Sequence, residues 1–500
     1  MTAAPERPLG DMDPVTFRRA GHELVEWVAQ YLAESDHYPI LPRLRPGEIR
    51  AALPDEAPEE GEPIEAILAD FERAIVPGLT HWNHPGFFGY FAISASGPGV
   101  LAELLAAALN QQAMLWRTSP AATELEEVVL GWLRSLLRLP PVFEGVIYDT
   151  ASISSLHALA AAREASVPEI RVRGLPGRDL PPLRVYCSEE AHSSIDKAVM
   201  LLGLGQNGLL RIPVDAAFRM RPEALADAVR ADRARGVRPV AVVATVGTTS
   251  TTSVDPVPAV ADICEAERVW LHIDAAYGGP AAMVPDCEWI FDGVARADSV
   301  VVNPHKWLFT PFDLSACYCR RMDAVRAAFA LTPDYLQTRE HGAARNLMDT
   351  GIQLGRRFRA LKLWFVLRYF GAAGVRRRLA DHIQLARRFA AWVDADPDFE
   401  RLAPVPLSVV CFRAHPRALG DEPRRIDSDG DSVLDALNTE LLDRVNASGE
   451  VFLSHTRIGN RVALRLAIGH LRTTEVHVAR AWVLLRAALH ELLTCQNDLA

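Results

Sequence analysis

The 500-residue chain is 49% apolar, 23% charged and 7% aromatic, with a formal net charge of −10 at pH 7. This composition excludes a disordered or coiled-coil chain, and the acidic balance, with arginines scattered among acids, excludes a nucleic-acid-binding face. Three of the 53 basic residues are lysines, Lys197, Lys306 and Lys362, so any lysine chemistry has three candidates.

In chain order, Asp13-Pro14 opens a helix with proline at its first position and one apolar stripe through Phe17, Leu24, Val28 and Leu32. A Pro-rich turn (Tyr38 to Pro42) and an acidic loop (Asp55 to Glu62) follow. Residues 1–96 are therefore too loop-rich to fold alone and are expected to lie on another domain or subunit. No export signal or membrane span is expected: Met1 to Gly10 lacks the basic, apolar, small-residue order, and the uncharged Ala74–Ala102 stretch is broken by Pro77, Asn83, Pro85 and Pro98.

Residues 97–374 alternate helices with short β-branched runs, the pattern of an α/β domain built on a parallel sheet. The clearest strands are Val185–Cys187, Val240–Thr245, Val269–Ile273 and Ser299–Val302, and each runs into small or polar residues. Ligands of open α/β sheets bind beyond the carboxyl ends of the strands, so the loops at Ser188–His192, Gly247–Thr249, Asp274–Ala276 and Asn303–Lys306 are expected to converge. Within this region Gly203-Leu-Gly-Gln-Asn-Gly208 matches a dinucleotide fingerprint. Its context is reversed, because a helix precedes it and a strand, Leu209–Ile212, follows, so it reads as a helix end and turn.

Residues 375–500 read as a smaller α+β domain: an Arg-rich helix (Val375 to Val393), a strand (Leu407 to Phe412), a polar loop and a final strand-helix set. Asp427–Asp431 begins like a calcium loop but lacks its glycine and its twelfth-position glutamate, and is read as solvated loop. The seven cysteines, from Cys187 to Cys495, form no disulfide framework. Cys317 and Cys319 have strand spacing, and core thiols in a reducing cytoplasm are expected.

Lys306 follows a strand directly and is bracketed by His305 and Trp307. Burial lowers a lysine's pKa and supplies the neutral amine that attacks an aldehyde. Alone, Lys306 also fits a buried ion pair. Asp274, at the end of the Val269–Ile273 strand, can hold a pyridinium proton, and a Schiff-base lysine with such a carboxylate is what pyridoxal 5'-phosphate requires. Ala276 is small enough for a flat ring to lie against, and His192 can stack on the opposite face. Thr150, Ala151 and Ser152 start a helix after a short strand, which suits a phosphate, although singly they also fit an ordinary N-cap. Lys197 and Lys362 read as structural helix lysines.

With these motifs the sequence resembles the pyridoxal-phosphate-dependent group II amino acid decarboxylases, and among them the aromatic-L-amino-acid decarboxylases. The resemblance runs through His84–Phe91, Thr118–Glu126, Ala191–Ser194, Val243–Ser250, His272–Tyr277, Asn303–Trp307 and Gly355–Lys362. It implies a fold-type-I transferase fold with a mostly parallel seven-stranded sheet, and a homodimer whose site lies near the subunit interface with the N-terminal segment across the partner. It further implies that Lys306 carries the cofactor, Asp274 pairs with its ring nitrogen, His192 stacks on it and Ala276 lies beneath. Thr249 sits beside the cofactor, and Ala151, Ser152, Asn303 and His305 attend phosphate or substrate.

By the same resemblance, Tyr335 is the loop tyrosine that protonates Cα after carbon dioxide leaves, and the stretch 338–351 reads as a closing loop. Relatives acting as aldehyde synthases carry phenylalanine there, so Tyr335 favours amine formation. An aldehyde synthase and a decarboxylase of a non-aromatic amino acid are the alternatives. Trp82, Tyr90, Phe91 and Phe312 match aromatic pocket positions. Gly355 matches a position where glycine accompanies indolic substrates in plant relatives. Gln112 and Met114 depart from the animal enzymes, which speaks against catechol specificity. Tryptophan, phenylalanine and tyrosine are the expected substrates.

Overall fold

The computed structural model describes residues 10–331, 344–417 and 432–497. The first helix, Pro14–Glu34, starts as expected, with the Asp13 carboxylate accepting the N–H groups of Val15 (2.9 Å) and Thr16 (3.1 Å). Trp27 and Tyr31 pack against Phe71, Tyr38 and His81, whereas Val15, Phe17, Leu24 and Val25 stay exposed. After the loop region comes β1 (Phe87–Phe88), which pairs with a strand some 360 residues later.

The large sheet is made of β2 (Glu144–Tyr148), β3 (Leu183–Ser188), β4 (Leu209–Ile212), β5 (Arg238–Thr245), β6 (Trp270–Asp274), β7 (Ser299–Val302) and β8 (Ser315–Cys319). Their order is β2-β8-β7-β6-β5-β3-β4, and every adjacent pair is parallel except the two made by β8. This is the mostly parallel seven-stranded sheet expected. Helices cover both faces, which is why its strands are apolar runs rather than alternating ones. Cys317 and Cys319 lie buried on β8, and the six cysteines among the described residues are unpaired and buried.

The glycine motif lies where a helix, Ser194–Leu201, turns into β4. Gly203 takes φ +77 and its N–H bonds back to Met200 O, a helix C-terminus and not a phosphate turn.

The smaller sheet comprises β9 (Phe399–Arg401), β10 (Val409–Ala414), β11 (Phe452–Ile458) and β12 (Arg461–Ala467), in the order β1-β11-β12-β10-β9. Residues before position 96 thus donate an edge strand to the C-terminal sheet. Arg472 adds a second tie, donating to the carbonyls of Leu32 and Ala33 and to Ser35 at the end of the first helix. A long helix, Ala360–Ala395, runs across the expected boundary at 374, broken only at Gly371 (φ 63, ψ 163). Among the described residues, no helix is long and apolar enough to cross a membrane.

Candidate active site

Register builds the site. Thr245, Asp274 and Val301 stand side by side at the carboxyl ends of β5, β6 and β7, so the loops that follow emerge together. Asn303 N–H bonds to Ala276 O (3.1 Å), locking the Lys306 loop onto the Asp274 loop. Asp274 is buried and its carboxylate accepts the Ala276 N–H at 3.1 Å. Lys306 lies on a single helical turn, Pro304–Trp307, and its Nζ stands 5.3 Å from the Phe91 ring centroid. Burial lowers its pKa below the usual lysine value, the Asp274 charge opposes that shift, and Arg465 adds to it.

Phe91 is the floor of this arrangement. Tyr277 stacks on it at 3.7 Å, and Trp307 stacks on Tyr277 at 4.8 Å. Trp307 Nε1 donates to His382 (3.0 Å), and the Tyr277 hydroxyl lies 2.5 Å from Ser408 Oγ. These bonds hold the rings from two elements of the C-terminal half.

His192 Nδ1 accepts the Ser194 N–H (3.1 Å), which leaves the ring proton on Nε2. Burial lowers its pKa and the Asp274 carboxylate partly restores it. Thr150 is the N-cap of the Ala151–Ser166 helix, whose first turn has no acidic residue and no side-chain cap. Ala151 and Ser152, half-buried and exposed, leave free N–H groups at a positive helix end, while the Thr150 N–H donates to Asp149 Oδ1 at 2.7 Å. Behind them, Ser154 Oγ, Ser315 Oγ and Asn303 Oδ1 form a chain at 2.8 and 2.7 Å, and the Asn303 amide reaches His305 Nε2 at 3.3 Å. His305 accepts Leu314 N–H and is pushed down to about 3 by burial, so it is neutral. Thr249 is exposed on the loop after β5, and Ala276 is buried beside Asp274.

The pocket residues divide into groups. Phe91 lies by Lys306, and Phe312, 57% exposed, lies 4.8 Å from the His305 ring. Trp82 and Tyr90 stack on each other (5.9 Å) with Tyr90 facing outwards. Gln112 Oε1 accepts the Arg356 N–H (2.8 Å), and its Nε2 stands 3.6 Å from where a Cβ on Gly355 would be. Met114 pairs through its carbonyl with Met348 N–H. Tyr335 lies outside the described residues.

Sequence reasoning missed Arg465. This guanidinium is buried on β12, 4.6 Å over the same Phe91 ring; it donates to Ser250 O (3.0 Å) and Tyr90 O, and Nη2 has no partner among the described residues. The available signal was one arginine in the apolar run Val462–Ala467. Thr245 Oγ1 and Ser188 Oγ, at two strand ends of the same sheet edge, are likewise buried without partners. Unpaired buried donors cost about 1–3 kcal/mol each, so this edge is built to meet polar groups of a ligand. A buried amine, a carboxylate, flat rings and a helix N-terminus together suit a flat, phosphate-bearing aldehyde.

Comparison with known proteins agrees. The family model of the pyridoxal-dependent decarboxylase conserved domain matches residues 46–415. The chain is 39% identical to the aromatic-L-amino-acid decarboxylase of Sus scrofa, over 98% of this chain and 99% of that one. It is 38% identical to a phenylacetaldehyde synthase of Arabidopsis thaliana, covering 97% and 98%. The crystal structure of Oryza sativa TDC with PLP and tryptamine superposes with a TM-score of 0.92 at 34% identity, covering 97% of this chain and all of that one. The chain belongs to the pyridoxal-dependent decarboxylases, the group II pyridoxal-phosphate enzymes that act as carboxy-lyases.

Proposed function

We propose that this enzyme decarboxylates an aromatic L-amino acid, of the tryptophan, phenylalanine or tyrosine type, to its amine and carbon dioxide. The observation that carries the reading is the placement of Lys306 and Asp274 at neighbouring strand ends over the Phe91–Tyr277–Trp307 stack. Similarity to enzymes named for aromatic substrates supports the substrate class. Bound pyridoxal phosphate supplies an electron sink for the pair left behind when the carboxylate departs.

The chain's own groups do the rest. Lys306, desolvated, offers an amine to hold the cofactor aldehyde. Asp274 would keep a proton on the ring nitrogen, Ala276 would lie beneath the ring, and His192 would cover its other face. At the Thr150 N-cap, the Ala151 and Ser152 amides, the Ser152 hydroxyl, Asn303 and His305 would hold the phosphate, and Thr249 would border the ring. Phe91 excludes water beside Lys306, and Arg465 contributes a buried positive charge to the substrate carboxylate. Tyr335 gives a proton to Cα. Trp82, Tyr90, Phe312, Gln112, Met114 and Gly355 line the side-chain pocket, with the Gln112 amide its polar group.

The organisation we propose is an N-terminal segment (1–96), a cofactor domain (97–374) and a small domain (375–500), assembled as a homodimer. Exposed Phe17, Leu24 and Val25 on the first helix, and Leu101, Leu104, Leu105 and Leu109 on the Gly97–Leu109 helix, support a covered apolar face. The buried, unpaired cysteines fit a cytoplasmic compartment.

A second reading, an aromatic aldehyde synthase, is favoured by the 38% identity to a phenylacetaldehyde synthase. One experiment separates them: a panel of amino acids with carbon dioxide release and product mass. Amine with equimolar carbon dioxide is expected. Aldehyde with ammonia selects the second reading, and keto acid without carbon dioxide refutes both.

A further inference from the structure

Among the buried histidines that the mechanism does not use is His157. His157 lies on the Ala151–Ser166 helix, on the helix that begins the phosphate cradle, and is 1% exposed. Its ring meets Phe329 edge-on at 4.6 Å, at the last residue of the Met322–Phe329 helix. On its other side Nε2 accepts the Ile352 N–H at 3.3 Å. Tyr148, edge-on to the same imidazole at 4.3 Å, donates its hydroxyl to Thr350 O. One imidazole thus touches two positions some twenty residues apart in sequence, Phe329 and Ile352.

Two details indicate that this contact is more than filling. Since Nε2 accepts, the ring proton sits on Nδ1, which is buried and has no partner among the described residues. An aliphatic residue would fill the space without that orphan donor, so the Nε2 acceptor is what the site retains. Gly351 also needs its missing side chain: a Cβ there would stand 2.9 Å from His157 Cε1 and 3.1 Å from Tyr148 Cε1. Beyond this joint, Gln353 Nε2 donates to Asp149 (3.3 Å), beside Thr150, and Arg356 N–H donates to Gln112.

We infer that His157 is a positioning residue for the reaction, tying Phe329 and Ile352 to the Ala151–Ser166 helix and so setting the register of Gln353 to Arg356 at the pocket. The inference rests on the proposed function for its catalytic consequence, because that reading places Gln112 and Gly355 in the pocket.

His157→Phe keeps the ring contacts and removes the acceptor. In the holoenzyme, amide hydrogen exchange over Gly351 to Arg356 is expected to accelerate about threefold or more, while the visible cofactor absorbance is retained. KM for the substrate amino acid should rise, and His157→Gln, which keeps an acceptor, should move both values back towards the parent. Exchange rate and KM both equal to the parent's would overturn the inference. If His157→Phe does not fold, Gly351→Ala perturbs the same joint from the other side with the same expectations. Failure of the parent enzyme to form amine would refute the proposed function, while the exchange comparison would still decide the joint.

Discussion

Acid unfolding gives a quantitative test of the buried electrostatics. Six of the buried histidines are depressed to about 3 or 4: His84, His157, His272 and His382 at about 4, and His305 and His470 at about 3, with burial the leading cause each time. An unfolded histidine titrates near 6.5. Between the two values the unfolded chain binds more protons than the folded one, so stability is full above about pH 6.5 and is lost as pH falls towards the folded values. At about pH 5.5 each unfolded ring is roughly nine-tenths protonated and each folded ring almost neutral, so the six take up about five protons on unfolding.

Asp255 opposes this. It is buried, accepts the N–H groups of Met220 and Thr245, and is raised to about 6, so on unfolding near pH 5.5 it releases roughly 0.7 of a proton. From these seven groups the expectation is about four to five protons per chain at about pH 5.5 and fewer than one at about pH 7.5, a loss of about 7 kcal/mol over that span. The assay is proton uptake on mixing the weakly buffered holoenzyme with concentrated urea, read by a pH indicator. It counts protons even when unfolding is irreversible. Uptake below about one proton at pH ~5.5 would refute the claim that these rings are held neutral by the fold.

Three further outcomes are expected. Lys306→Ala should abolish the visible absorbance of the lysine-bound cofactor, and a borohydride-reducible adduct persisting in that variant would overturn the assignment. Tyr335→Phe should divert product from amine to aldehyde, ammonia and peroxide, which product mass and a peroxidase-coupled assay would detect; an unchanged amine yield would remove Tyr335 as the acid. Arg356→Met should destabilise the protein by about 3–5 kcal/mol, because buried Glu126 loses its 2.9 Å partner, and adding Glu126→Gln should recover part of that in urea unfolding curves.

Much of the site was legible because parallel strands advertise themselves as apolar runs that stop at small polar residues. Asp274, Asn303 and Lys306 could be placed at neighbouring strand ends from that pattern alone, and the reversed context of Gly203–Gly208 was readable from helix-before-strand order. What could not be read were contacts closed over long separations. β1 is two residues long, too short to display alternation, and its partner Phe452–Leu453 is specified only by packing. Arg465 lies nearly two hundred residues beyond Asp274, and only the folded C-terminal sheet brings it over Phe91. Tyr277 stood in view after Asp274-Ala-Ala, but its role as the middle ring of a stack depends on Phe91 and Trp307 arriving from either side.

That stack also explains why the three segments of the chain cannot be separated without losing the site. The N-terminal segment contributes Phe91, the large sheet contributes Tyr277 and Lys306, and the C-terminal sheet contributes Arg465. Two cations, Lys306 and Arg465, lie near one aromatic ring, with no carboxylate bonded to Arg465 among the described residues to absorb the charge. Such crowding is costly in a low-dielectric interior, and the cost falls on the group that can lose its proton. Arg465 cannot deprotonate, so the burden shifts to Lys306, in the direction that favours its neutral amine. Burial is the leading cause of that shift, the Asp274 charge opposes it and Arg465 adds to it, so the docking of distant segments around Phe91 reinforces what burial at the strand end begins.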